Sequence, residues 1–178
     1  MIVSFCAMNF TIEPMTHTDG PEVMRIYAEG LAGNNATFET VVPGFESWIA
    51  GKRPDCRLVA RLNDGDSSAG KLAGWAVLSP TSKRQVYAGV CEVTIYVSNH
   101  AQGMGVGKSL MRALIAESEA AGIWTLYSSI FPENRPSIKL HERHGFRTIG
   151  RREKIAFHPS TQTWRDTILM ERRSKKVG

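Results

Sequence analysis

A chain of 178 residues, 42% hydrophobic and 22% charged, can bury one core without metal or disulfide support, which excludes extended disorder. Its longest apolar runs, Ile2 to Met8 and Trp75 to Leu78, are far shorter than the roughly 20 residues that cross a bilayer, so no membrane partner is expected. The formal net charge of +5 raises nucleic acid as a partner, yet much of it lies in Arg172-Arg173-Ser174-Lys175-Lys176 with no basic helix or aromatic-basic platform; no nucleic acid is expected, and residues 173–178 read as a solvated basic tail.

The opening Met1-Ile2-Val3-Ser4-Phe5-Cys6-Ala7 lacks the charged start and full-length apolar region of a secretory signal. Residues 1–8 are therefore expected to be a short leader to a single domain of residues 9–172. Asn9 to Pro14 alternates Phe10 and Ile12 with polar neighbours and predicts a strand that Pro14 ends. Thr18 or Asp19 caps a first helix whose Val23, Ile26, Tyr27 and Leu31 follow the helical period, stopped by Gly33 and Asn34. A second helical stretch runs from Gly44 to Ala50, broken by Gly51 and Pro54. Strands are expected over Arg57 to Leu62 and Lys71 to Leu78, joined by a turn at Asn63-Asp64-Gly65-Asp66. Pro80 to Arg84 then connects to the apolar, β-branched run from Val90 to Val97.

Gly103 to Gly107 leads into a helix from Val106 to Ala121, with Val106, Leu110, Ala113, Leu114 and Glu117 on one side and Gly122 as its stop. Ile123 to Phe131 reads as a strand, and Pro136 to His144 as a short helix that Pro136 opens and Gly145 closes. Phe146 to Ile149 and Trp164 to Glu171 read as closing strands, with His158-Pro159-Ser160 in the loop between them. The order βααβββαβαββ predicts an α/β or α+β domain, a mixed sheet with helices against it. Cys6, Cys56 and Cys91 are odd in number and widely separated, which fits neither a disulfide framework nor a metal site. A reducing cytoplasm and no metal are expected.

The sharpest local signal is Gln102-Gly103-Met104-Gly105-Val106-Gly107-Lys108, directly after a strand and opening a helix. Glycines there let backbone N–H groups approach a pyrophosphate, and the helix N-terminus adds its dipole and unpaired donors. A dinucleotide fingerprint needs glycine where Lys108 stands, and a Walker loop needs it where Gln102 stands, so both fail by one residue.

These residues resemble the GNAT superfamily, whose acetyl-CoA motif is Gln/Arg-x-x-Gly-x-Gly/Ala after a strand; Gln102, Gly105 and Gly107 match it. Asn134-Arg135-Pro136-Ser137-Ile138-Lys139-Leu140-His141-Glu142-Arg143-His144-Gly145-Phe146 is similar to that family's Asn-x-x-Ser-x-x-Leu-x-x-x-x-Gly-Phe segment. The narrower resemblance is to the phosphinothricin and methionine sulfoximine N-acetyltransferase branch, through Cys91-Glu92-Val93-Thr94-Ile95-Tyr96-Val97, Leu140-His141-Glu142 and Trp164-Arg165-Asp166. It implies a GNAT fold with a mostly antiparallel mixed sheet, acetyl-CoA as co-substrate, and a small amino-acid-like acceptor. The backbone of Ile95, Tyr96 and Val97 would pair with the pantetheine arm. Gly103, Met104, Gly105, Val106, Gly107 and Lys108 would hold the pyrophosphate, with Asn134, Ser137 and His141 along the arm. Phe38, Glu39, Arg84 and Tyr87 fall where that branch places substrate contacts, Arg84 suiting a carboxylate by its bidentate geometry. The branch is typically dimeric, which would put Phe157 and Trp164 at a subunit interface.

An ammonium must lose a proton before it attacks a thioester, and a positioned carboxylate can take it. Glu92, a carboxylate in an otherwise apolar strand, suits that role; an edge carboxylate or ion-pair partner is the plainer reading. His141 follows Ser137 by one helical turn and would lie near the departing sulfur, as acid, relay or packing residue. A backbone N–H near Tyr96 or Val97 would serve an oxyanion. Cys91 points to the opposite face from Glu92 and reads as core. Acetylation of a protein N-terminus or lysine, and a non-catalytic acyl-CoA-binding module, are the alternatives.

Overall fold

The computed structural model describes residues 9–63 and 70–178. The expected leader with Cys6, and Asp64 to Asp66 of the expected turn, lie outside the described residues. Strand β1 (Phe10–Pro14) leads through a short 3-10 turn to helix α1 (Gly20–Ala32), then α2 (Phe45–Ala50), β2 (Arg57–Leu62) and β3 (Leu72–Pro80). A second 3-10 turn, Gln85–Tyr87, precedes β4 (Val90–Val97); α3 (Val106–Ala120), β5 (Thr125–Ile130), α4 (Arg135–Arg143), β6 (Arg147–His158) and β7 (Thr163–Arg173) complete the chain. Asp19 does mark the start of α1, but as a two-sided brace. Its Oδ2 accepts the Thr16 N–H at 2.8 Å and its Oδ1 accepts from Arg61 at 2.7 Å, which ties the helix entry to β2.

The strands form one sheet in the order β1-β2-β3-β4-β5-β7-β6, and every pairing is antiparallel except β4 with β5. That parallel pair needs a crossover, and α3 supplies it. Adjacent residues of β3 face opposite ways, in strict alternation from Trp75 to Leu78, and divide the core. Ala73, Ala76 and Leu78 pack with Val106, Leu110, Met111 and Leu114 of α3 on one face. Leu72, Trp75 and Val77 pack with Val23, Ile26 and Tyr27 of α1 on the other. Helix α3 buries Met111 and Ser118 where Glu117 was expected; Glu117 faces solvent. Gly74 has to be glycine, because a Cβ there would sit 2.7 Å from the Tyr96 carbonyl oxygen.

The parallel pairing of β4 with β5 covers only Val90 to Glu92 against Thr125 to Tyr127. Past Glu92, β4 runs on to Val97 and β5 to Ile130, and the two strands part. The backbone groups of β4 on that side are left for another partner.

The closing strands are longer than expected. Strand β6 continues to His158 and pairs with β7 across two register shifts, so only Pro159 onward is loop. The charged run Arg151-Arg152-Glu153-Lys154 shows no strand alternation; cross-strand bonds hold it, with Asp166 accepting from Arg151 at 2.6 Å and from the Lys154 N–H at 2.8 Å. Nor is the basic tail a freely solvated terminus. Arg172 and Lys176 pair with Glu119 at 3.0 and 3.1 Å, Ser174 is buried, and Arg173 donates to the carbonyls of Trp124, Val177 and Gly178.

Candidate active site

Where β4 and β5 separate, a cavity of about 560 Å³ opens. Residues of β4 from Glu92 to Tyr96 form one wall, Ser128, Ser129 and Ile130 of β5 face them, and Asn134, which caps α4, with Ser137 and His141 of that helix close one end. Glu92 stands at the apex, the last residue of the parallel pairing. Burial raises its pKa above the ordinary carboxylate value, and the charges of Lys52 and Arg152 pull it partway back. A carboxyl poised this way is a proton acceptor closer to neutral pH than a solvated one. Cys91, its neighbour, is fully buried in the α3 core, as strand alternation requires.

His141 is 1% exposed. Its Nδ1 lies 2.8 Å from the Ser137 carbonyl oxygen, which can only accept, so Nδ1 carries the proton. Burial lowers its pKa, partly countered by that carbonyl, which favours the neutral ring. Its Nε2 then presents a lone pair, and among the described residues it has no hydrogen-bond partner. Phe146 meets the ring edge-on at 4.8 Å and fixes its plane. His144, at the end of α4, bonds the Leu140 carbonyl at 2.8 Å.

Asn134 does more than face the cavity. Its Oδ1 accepts from the Ser137 N–H and caps α4, while its Nδ2 donates to the Asn35 carbonyl at 2.9 Å. Arg165 reinforces that tether, donating to the Asn34 carbonyl at 2.6 Å and to Asn35 Oδ1 at 3.0 Å. The loop so held carries Thr37, Phe38 and Glu39 into the cavity, and Phe38 packs on Phe131 at 4.8 Å.

Of the expected acceptor contacts, Phe38 and Glu39 line the cavity, but Arg84 and Tyr87 do not. They sit on the exposed 3-10 turn, with the Arg84 guanidinium 5.4 Å from the Tyr87 ring. That turn lies between β3 and β4, and both residues are exposed there. The positive charges lining the cavity are Lys52 and Arg152. Sequence spacing had no means of finding either: Lys52 lies in the break after α2, and Arg152 in the charged run of β6.

The glycine loop opens α3 beside this cavity. Gly103 and Gly105 have φ of 79° and 82°, and a Cβ on either would meet nothing within 4 Å, so the loop faces open space in a conformation that glycine favours. The first N–H groups of α3, at Val106, Gly107 and Lys108, face outward unpaired by helix geometry. Val106 itself is buried and contributes backbone only. A Cβ on Gly107 would lie 3.5 Å from both Val97 and Leu140, which shows how closely α3, β4 and α4 converge. The loop and the splayed strands thus fit an elongated ligand with an anionic centre. Ile95 and Tyr96 lie along its course, whereas the Val97 side chain packs into the core. Among the described residues no group of acidic, histidine or cysteine side chains is arranged to hold a metal ion.

Comparison with known proteins agrees with this geometry. Residues 22–146 match the model of the acetyltransferase (GNAT) family. The chain is 30% identical over 165 residues to a phosphinothricin N-acetyltransferase of Alcaligenes faecalis, covering 91% of this chain and 81% of that protein. It is 25% identical over 167 residues to an L-methionine sulfoximine/L-methionine sulfone acetyltransferase of Pseudomonas paraeruginosa, covering 92% and 94%. The crystal structure of a phosphinothricin acetyltransferase from Sinorhizobium meliloti in complex with acetyl-CoA superposes with a TM-score of 0.81 at 26% identity, over 96% of this chain and 91% of that one. With its single mixed sheet, its glycine loop after β4 and its parted β4 and β5, the chain belongs to the GNAT family of acetyltransferases.

Proposed function

We propose that this protein transfers the acetyl group of acetyl-CoA to the amino group of a small amino-acid-like substrate of the phosphinothricin, methionine sulfoximine or methionine sulfone type, with Glu92 as general base. The observation that carries this reading is a half-buried carboxylate at the apex of the β4–β5 opening, in one cavity with cations and aromatic walls. A zwitterionic acceptor suits such a lining; a long peptide has no need of it. The relatives named for phosphinothricin and methionine sulfoximine favour the same substrate class.

Acetyl-CoA supplies the thioester. Backbone N–H groups of Gly103 to Lys108 would hold its pyrophosphate, and those of β4 past Glu92 would pair with its arm and stand as donors to the thioester carbonyl. Glu92 takes the ammonium proton, directly or through water. His141 enters as an acceptor, since its Nε2 holds a lone pair; it can hand to the departing sulfur only a proton it has first received. No covalent enzyme intermediate is needed.

The exposed Phe157 and Trp164, paired edge-on at 5.7 Å across β6 and β7, support a homodimer through this face. Sedimentation should then give a dimer for the protein and a monomer for Trp164→Glu. Free, buried Cys56 and Cys91, with the Cys56 thiol pushed by burial up to about 12, suit a reducing cytoplasm. The function itself is tested by free-thiol release from acetyl-CoA across phosphinothricin, methionine sulfoximine, methionine sulfone, ordinary amino acids and peptides. Turnover of the amino-acid analogues supports the proposal; turnover of peptides alone overturns it.

A further inference from the structure

Lys52 follows α2 in the turn that Gly51 opens, and its side chain reaches the cavity wall. Its Nζ donates to Ser79 Oγ at 3.1 Å and lies 5.2 Å from the centre of the Trp48 ring. Ser79 is the register partner of Glu92 across β3 and β4, and directly opposed residues share one face of a sheet. Ammonium, hydroxyl and carboxylate therefore stand side by side on one wall. An ammonium has three donors, and Ser79 is its one hydrogen-bond acceptor among the described residues. Glu92 feels the Lys52 charge without a hydrogen bond to it, and both line the same cavity. Burial lowers the Lys52 pKa, and Glu92 opposes that shift.

We propose that Lys52 is the specificity-determining cation of the acceptor site: it holds the carboxylate of an α-amino acid whose amino group faces Glu92. An α-amino acid carries its ammonium and carboxylate on one carbon, so a neighbouring carboxylate and ammonium on one wall complement both ends at once. A plain amine would leave Lys52 as an unanswered, partly dehydrated charge, which costs binding. Arg152 approaches Glu92 from the far side of β4. It is held by Ser129 Oγ at 2.8 Å and Thr167 Oγ1 at 3.3 Å, whereas Lys52 is bonded to Ser79, the residue paired with Glu92, and so is the cation on the wall that Glu92 shares. The inference rests on the small-substrate reading above and names the group that selects the substrate.

The test compares methionine sulfone with its carboxamide as acceptors for the wild type, Lys52→Met and Lys52→Arg, at saturating acetyl-CoA. Losing one charge-assisted hydrogen bond should raise the KM of the carboxylate acceptor about 10- to 100-fold in Lys52→Met. The KM of the carboxamide should stay unchanged, and Lys52→Arg should recover most of the loss. Equal losses of kcat on both acceptors, with a displaced acid limb of the pH profile, would make Lys52 a modulator of Glu92 and overturn the proposal. Should the wild type acetylate neither acceptor, the function reading fails separately, and the inference is then read by calorimetric binding of 4-(methylsulfonyl)butanoate, which keeps the carboxylate and lacks the amine. Binding about 10-fold or more weaker in Lys52→Met supports it; equal binding sinks it.

Discussion

Replacing Glu92 with Gln keeps the side chain's size and its hydrogen-bonding oxygen but removes the proton acceptor. General-base catalysis contributes about 10²- to 10⁴-fold, so kcat should fall by that factor, equivalent to about 2.7–5.4 kcal/mol of barrier. The acetyl-CoA KM should change less than about twofold, because the glycine loop and α4 are untouched by the substitution. The pH profile separates chemistry from damage. Burial holds the Glu92 pKa above its ordinary 4.5, with Lys52 and Arg152 pulling it partway back. A base acts only when ionised, so wild-type kcat/KM rises with pH through that raised pKa and is lost as pH falls through it. The variant should lack this limb while keeping the higher one that belongs to the acceptor's own ammonium. Stopped-flow thiol release across pH, with melting curves as a control for folding, makes the comparison. A correctly folded Glu92→Gln enzyme with wild-type kcat and the same acid limb would refute the assignment and leave Glu92 as a wall residue.

Gly105 holds a φ of 82°, where an L side chain costs about 1–2 kcal/mol. Gly105→Ala should therefore melt about 2–8 °C lower and bind CoA more weakly, both read from melting curves with and without CoA. His141 should appear by NMR as the Nδ1-protonated tautomer, with a titration midpoint below the ordinary 6.5 because burial disfavours its charged form; an Nε2-protonated ring would contradict the relay. Glu119, bonded by Arg172, Ser174 and Lys176, should cost about 1–3 kcal/mol when replaced by Ala, with kcat unchanged. Burial alone would raise the Glu119 pKa, but its three partners outweigh this and hold it below 4.5. Its contribution is complete above that value and is lost as pH falls through the lower folded pKa, so urea titrations of the two proteins should converge in acid.

Much of this protein could be read along the chain. The β-branched run Val90 to Val97, the glycines after it, the periodic apolar positions of α1 and α3, and Pro136 with Gly145 around α4 each act within a few residues, where spacing and backbone preference decide the conformation. The resemblance carried by Cys91 to Val97, Gln102 to Lys108 and Asn134 to Phe146 implied one site for Glu92 and His141. The charged run of β6 did not follow alternation, because its pairing with β7 comes from Asp166 and the opposite strand rather than from its own pattern. Arg84 was expected to meet the acceptor's carboxylate, and Lys52 was not singled out, for the same reason. A sequence shows which residues carry charge, but not which of them share a wall. Lys52 meets Glu92 through Ser79, a partner 27 residues away from it in the chain, and Arg152 arrives from the far end of the sheet. The opening between β4 and β5 likewise belongs to neither strand's sequence; it exists because their pairing stops at Glu92, and only the assembled sheet decides where a pairing stops.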